Sequence, residues 1–378
     1  MRIEQQQWRS GEGWKHAGPR QLNGKADLVL AFGGTAALAE EKPIEALRIQ
    51  YPNAHIVGCS TAGEILDTQV SDDTIAATAV KLDHTEVRTA EIAIHRPEDS
   101  RALGRKLAST LETRGLDHVL LISDGQHVNG SELAVGVQEA LPKGVGVTGG
   151  LAGDGARFKR TLVFADHGPR EDRVVAVGFY GPRLKVGYGS LGGWDSFGPQ
   201  RTITRADNNV LYELDGQPAL ELYKRYLGEH ASGLPATGLL FPLSIQVAGQ
   251  GRELVRTILG VNEKDQSMTF AGDMPTGAYA RLMKANFDRL VDGAHGAAES
   301  STVNIGANAD LAVLISCVGR KLVLKQRTDQ ELEAVRDVLG PKTAMTGFYS
   351  YGEICPAMPN ANCELHNQTM TITTFTEH

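Results

Sequence analysis

The chain has 378 residues, 41% hydrophobic and 22% charged, an ordinary balance for a soluble globular protein of two or three domains. Its 38 basic and 45 acidic side chains leave a formal charge of −7, which is not the basic footprint of a nucleic-acid binder. No apolar run nears the roughly 20 residues that cross a bilayer, residues 1–20 carry no apolar secretion signal, and four cysteines are too few for a disulfide framework, so a reducing, cytoplasmic setting away from membranes is expected.

Residues 1–26 read as a loosely ordered lead-in whose Trp8 and Trp14 dock on the body. A first unit opens with a buried-strand pattern at 27–32, passes Gly33-Gly34 with Thr35 as the cap of a helical stretch to about Gln50, and returns in a strand at 55–57. There follows Gly58-Cys-Ser-Thr-Ala-Gly-Glu-Ile65, small residues up to a carboxylate, and then a strand at 74–82. A second unit has a strand at 118–123, a loop from Asp124 to Gly130, a helix at 131–141 stopped by Pro142, and a short strand leading into Gly149–Asp154. Strands follow at 161–164 and 173–180.

A different region comes next, with Gly193-Trp194-Asp195, a turn at Leu214–Pro218, a helix at 219–227, a surface linker at 230–237, a hairpin at 241–261 and a helix at 281–298. A third unit then has a strand at 311–316, Cys317-Val-Gly-Arg320, a capping box at Thr328–Glu331, a helix stopped at Gly340-Pro341, the run Gly347-Phe-Tyr-Ser-Tyr-Gly-Glu-Ile354, and a last strand at 369–375. The strand–loop–helix–strand order occurs three times, with Ala62-Gly63-Glu64, Ala152-Gly153-Asp154 and Tyr351-Gly352-Glu353 as matching points. Ala271-Gly272-Asp273 also matches but follows no such unit, and is set aside as coincidence. The expected fold is a two-domain mixed α/β protein built from repeated β-α-β units with additional antiparallel strands, its domains at 27–215 and 216–378 behind the 1–26 lead-in.

Glycine-rich turns at strand ends expose N–H groups that hold anions, and ligand crevices of α/β sheets lie beyond the strand carboxyl ends. The repeat acids Glu64, Asp154 and Glu353 are placed to take an ammonium group, and Arg320 to fork onto a carboxylate. Asp124, His127 and Asn129 occupy a strand end, with Ser60, Thr61, Gly63 and Tyr351 as local contacts. Trp194 either stacks on a ligand or wedges the domains together, and His366 and Asn367 either reach the pocket or bond within their turn. Ser60 invites a nucleophile reading, but its run misses Gly-x-Ser-x-Gly at the last position and the third unit has Tyr349 there. Cys355, Cys363 and His366 do not have a standard zinc spacing.

These motifs resemble the FIST family, the F-box and intracellular signal transduction sensory domains. The N-terminal part of the family is similar to Gly58–Ile65, Gly149–Gly155, Gly193-Trp194 and Leu214–Ala219; its C-terminal part is similar to Cys317–Arg320, Gly347–Ile354 and Leu365–Thr369. The resemblance covers residue 27 to the end and implies a sensor of small molecules such as amino acids. It also implies an alternative, a haem-based sensor of nitric oxide acting on a histidine kinase, for which His127 and His366 are the candidate axial ligands. A serine hydrolase using Ser60 is a further alternative. No signalling output domain is visible, so a separate signalling partner is expected.

Overall fold

Strand Leu28–Gly33 alternates strictly. Leu28, Leu30 and Phe32 enter one core, while Val29 and Ala31 enter another beneath the helices, because successive side chains of a strand point to opposite faces. The computed structural model describes residues 1–95, 99–247, 253–303, 305, 308–356 and 361–378, and repeats this arrangement three times. Each repeat supplies an outer strand, two parallel strands joined through helix, a short crossing strand and an antiparallel return strand. In the first these are Arg2–Arg9, Leu28–Gly33, His55–Ser60, Glu64–Leu66 and Ile75–Lys81. In the second they are Glu86–Ala93, Leu116–Ser123, Gly146–Leu151, Val163–Ala165 and Arg173–Tyr180. In the third they are Leu184–Leu191, Leu311–Cys317, Ala344–Ser350, Gly352–Pro356 and Met370–Glu377.

The crossing strand always joins a neighbour's sheet. Glu64–Leu66 pairs with Thr346–Phe348 of the third repeat, Gly352–Ile354 with Gly149–Leu151 of the second, and Val163–Ala165 with Val57–Cys59 of the first. Three backbone bonds close the ring: Ala62 N–H to Tyr349 O at 2.8 Å, Gly153 N–H to Ser60 O at 2.9 Å, and Tyr351 N–H to Leu151 O at 3.2 Å. Glycine is required beside each joint. A Cβ on Gly58, Gly149 or Gly347 would stand 1.7, 1.8 or 1.8 Å from the carbonyl oxygen of Ala31, Leu121 or Leu314. The inner faces of the three sheets share one core, in which Phe32 packs on Phe348 at 4.8 Å between ring centroids beside Ile122 and Ile315.

The third repeat is interrupted. Between its outer strand and helix Phe287–Thr302 stands a separate antiparallel sheet, from Trp194–Asp207 to Tyr279–Ala285, packed on helix Ala219–Leu227 with its own core around Ile203, Leu220, Tyr223 and Phe270. Gly216 lies in a turn of this sheet, between the paired strands Val210–Leu214 and Gln217–Pro218.

Several local expectations are corrected. Residues 2–9 are not loose but pair with Ile75–Lys81 along their length; Trp8 is buried and the Trp14 indole donates to Pro43 O at 3.2 Å, the expected docking. The helix expected from 281 starts at Phe287, because Tyr279–Ala285 is a strand. Gly34, not Thr35, is the cap residue of helix Thr35–Ala39, and the Thr35 hydroxyl instead donates to Asp154 Oδ1 at 2.7 Å. Thr328 and Glu331 form no capping box: the Thr328 hydroxyl donates to Lys325 O at 2.6 Å, and Glu331 turns inward to Arg320.

Candidate functional site

Glu64 begins the first crossing strand and is buried at the joint between repeats. Its Oε1 accepts from the Thr61 hydroxyl at 2.5 Å; its Oε2 accepts from the Thr74 amide at 3.0 Å and the Thr74 hydroxyl at 2.8 Å. Burial pushes its pKa up to about 7, with the Asp72 charge acting the same way, against the lowering effect of the Thr61 and Thr74 hydrogen bonds. Beside it opens a polar cavity of about 300 Å³ lined by Gly34, Thr61, Asp72, Asp73, Gly155, Arg157 and Glu64 itself. Five of these belong to the first repeat; Gly155 and Arg157 belong to the second. Lys321 of the third repeat reaches the rim, donating to Ala62 O at 2.9 Å and pairing with Asp72.

Arg157 is held from behind. Its Nε and Nη2 donate to Asp154 Oδ1 at 2.9 and 2.6 Å, and Nη1 makes no hydrogen bond among the described residues. Although burial acts to raise the pKa of Asp154, Arg157 and Thr35 hold its carboxyl below the usual range. The Tyr351 hydroxyl fastens the same loop, donating to Gly155 O and accepting from the Phe158 amide, each at 3.1 Å, with its ring stacked on Phe158.

Glu353 repeats Glu64. Its Oε1 accepts from the Ser350 hydroxyl at 2.7 Å, and its Oε2 from the Thr369 amide at 3.2 Å and hydroxyl at 3.0 Å. Burial pushes its pKa up to about 8. Asp154 is not the third member of this set. The ring of backbone bonds makes Gly153 the counterpart of Ala62 and Tyr351, so Asp154 stands where the others have Gly63 and Gly352, and Gly155 replaces the glutamate. The match of Asp154 to the glutamates is thus one residue out of register.

Other expected site residues lie elsewhere. Arg320 is fully buried and saturated: Nε and Nη2 donate to Glu331 Oε2 at 3.2 and 2.7 Å, Nη1 to Gly192 O at 2.6 Å and Nη2 to Leu290 O at 2.7 Å, so it has no fork to offer a ligand. Asp124 caps its own loop, accepting from the Gln126 and His127 amides and the Thr161 hydroxyl. His127 Nδ1 lies 2.9 Å from Asp172 Oδ1 and 3.3 Å from Asp124 Oδ1. Asn129 caps helix Gly130–Ala140 and donates to Asp273 Oδ1 at 2.8 Å. Trp194 is buried against Leu290 and Val323 and donates to Gln368 O, the wedge rather than the stacking role. Ser60 is buried and its hydroxyl accepts from the Leu162 amide at 2.8 Å, with no histidine or lysine among its described partners. His366 Nε2 meets Cys355 O at 2.9 Å, and Asn367 is buried beside it. All four cysteines are free and buried, and burial pushes their thiols up, Cys363 to about 12.

Sequence reasoning missed Asp72, Asp73 and Arg157. The doublet Asp72-Asp73 reads as an ordinary surface turn, and Arg157 lies three residues past the motif. The left-handed backbone of Asp73, Asp172 and Gln368, φ 55°, 55° and 61°, marks the same turn in all three repeats. The cavity does not fit a haem: none of its lining residues is a histidine, cysteine, methionine or tyrosine able to ligate iron. His127 is turned to carboxylates and His366 to a backbone carbonyl. Among the described residues no helix is long and apolar enough to cross a membrane.

Comparison with known proteins agrees with the resemblance read from the motifs. The FIST N domain model matches residues 27–217 and the FIST C domain model residues 219–356. The uncharacterized proteins Mb0898c of Mycobacterium bovis and MT0897 of Mycobacterium tuberculosis are each 26% identical over 242 residues, 62% of this chain and 61% of theirs. The alignment thus spans less than two thirds of the length of either relative. A crystal structure of cyanuric acid hydrolase from A. caulinodans overlaps 78% of this chain and 99% of its own at 10% identity, with a TM-score of 0.18. The chain belongs to the FIST family of signal-transduction sensory domains.

Proposed function

We propose that the protein is a cytoplasmic sensor that binds a free amino acid or a related amine in the cavity beside Glu64 and passes the signal to a separate protein such as a histidine kinase. The observation that carries this reading is a buried carboxyl in the wall of a polar cavity that spans two repeats. Ionised Glu64, with Asp72 and Asp73 beside it, is the complement of an ammonium group, and the free edge of Arg157 is the complement of a carboxylate. The distinct sides of the cavity suit a zwitterion. Because Glu64 and Arg157 come from different repeats, a ligand touching both favours one spacing of the joint, and such differential contact is what shifts a conformational population. Binding rather than turnover is the activity we infer, since the Thr61 hydroxyl of the lining is held in the wall, donating to Glu64 and accepting from the Gly63 amide.

Calorimetric titration with free amino acids and with the corresponding amines tests the reading. At least one amino acid should bind saturably, Glu64→Gln should weaken it about tenfold, and Arg157→Ala should weaken the amino acid but not its amine. Failure of every amino acid and amine to bind or to raise the melting temperature would reject it.

A further inference from the structure

The acid and turn that wall the cavity of the first repeat have counterparts in the third. The ring symmetry places Ser350, Glu353, Asn367 and Gln368 where the first repeat has Thr61, Glu64, Asp72 and Asp73, and Thr369 repeats both bonds of Thr74 to the glutamate. Two things differ. Asp72 is a charge with its side chain 67% exposed, whereas Asn367 is neutral and 1% exposed. The cover is the inserted domain: the Trp194 indole donates to Gln368 O at 2.9 Å, Gln368 Nε2 donates to Leu239 O at 3.2 Å, and Arg256 Nη1 donates to Leu365 O at 3.2 Å.

Beneath that cover lies an amide that has no partner among the described residues. Neither Oδ1 nor Nδ2 of Asn367 makes a hydrogen bond to any of them, and Gln368 Oε1 also lacks one there. Leaving a buried donor and acceptor unmade is costly, and an apolar side chain of similar volume at the same place would avoid that cost. Asn367 presents one acceptor and one donor side by side, the mirror of a carboxamide, lactam or urea edge. Glu353 faces the same turn through Thr369, and burial keeps it largely protonated at neutral pH, so no full negative charge stands where the first cavity has three acids.

The geometry points to a second ligand site in the third repeat, at Asn367 and Glu353 beneath the inserted domain, that takes a small uncharged molecule with a C=O beside an N–H. Its floor belongs to the ring and its roof to the insert, so an occupant ties the two domains together. The site stands whether or not an amino acid enters the cavity at Glu64.

The test uses the full chain labelled with ¹⁵N. The side-chain amide signal of Asn367, assigned by its loss in Asn367→Leu, is followed as acetamide is added, with acetate and methylammonium as charged controls. Acetamide should shift that signal saturably and the controls should not. Read at the Thr369 backbone amide, Asn367→Leu should bind acetamide about tenfold more weakly or worse, while melting no lower than wild type. Asn367→Asp, which copies Asp72, should lose acetamide and gain methylammonium. Absence of saturation in wild type, undiminished acetamide binding in either variant, or a large loss of stability in Asn367→Leu would each overturn the site, the last by making the amide structural. Loss of the same signal in Asn367→Asp checks the assignment independently.

Discussion

Glu64 and Glu353 sit in the same cradle of hydroxyls and amide, each accepting from a residue three positions earlier and from the threonine that opens the return strand. One borders an open cavity and the other lies under the inserted domain. Burial raises both above the ordinary carboxyl value of 4.5, Glu64 to about 7 and Glu353 to about 8.

This pair gives the protein a pH signature. With folded pKa values raised above the unfolded ones, the native state binds more protons than the unfolded chain between about 4.5 and about 8, so their contribution to stability is complete below that window and is lost as pH rises through about 7 and about 8. Urea unfolding should therefore show lower stability at about pH 9 than at about pH 5, and Glu64→Gln with Glu353→Gln should flatten the decline. A decline unchanged in the double variant would contradict the assignment.

The threonines of the cradle should matter most when the acids are ionised. Thr74→Val and Thr369→Val each remove a hydroxyl donor and should cost about 1–2 kcal/mol, more at high pH than at low, as hydrogen bonds to charged groups are the stronger ones. Denaturant midpoints across pH check this. A loss independent of pH would mean that the hydroxyls serve packing alone.

Arg320 should be a stability residue and not a binding residue. Arg320→Ala strands Glu331 in the core and should cost about 3–5 kcal/mol, whereas Arg320→Met combined with Glu331→Leu should recover a large part of that loss. Amino-acid affinity measured on the folded fraction of either variant should match wild type. A tenfold loss of affinity would return Arg320 to the site.

The three joint glycines should tolerate nothing larger. Gly58→Ala, Gly149→Ala and Gly347→Ala each drive a methyl against a backbone carbonyl that cannot rotate away, and should cost about 3 kcal/mol or more. Soluble yield and the thermal transition read this directly. Gly216→Ala, which meets no atom within 4 Å, serves as the control, with only the backbone cost of its φ of 73°.

Much of the ring was legible because repeated strand–helix–strand units carry their own periodicity, and the Glu64–Glu353 equivalence could be read from matching letters. The offset at Asp154 could not, since Ala-Gly-acid occurs there too and only the backbone partners of Gly153 reveal that it takes the place of Ala62. The first strand escaped notice because its buried face is Glu4, Gln6 and Trp8; Glu4 is satisfied by the Gln21 and Leu22 amides and the Tyr51 hydroxyl, so hydrophobic alternation carries no signal. Arg320 misled for a related reason. Its partner Glu331 looked like half of a helix cap, and the pairing of two distant charges inside a core leaves no local pattern.

Each repeat lends its crossing strand to the sheet of the next, and the last lender is also a borrower. Three clasps fastened in a loop have no loose end at which a displacement can die away. The clasp between the first and second repeats is thus joined through the ring to the other two, one of which abuts the inserted domain through Trp194 and Gln368. The architecture is suited to reporting, at a distant surface, what has arrived at a single joint.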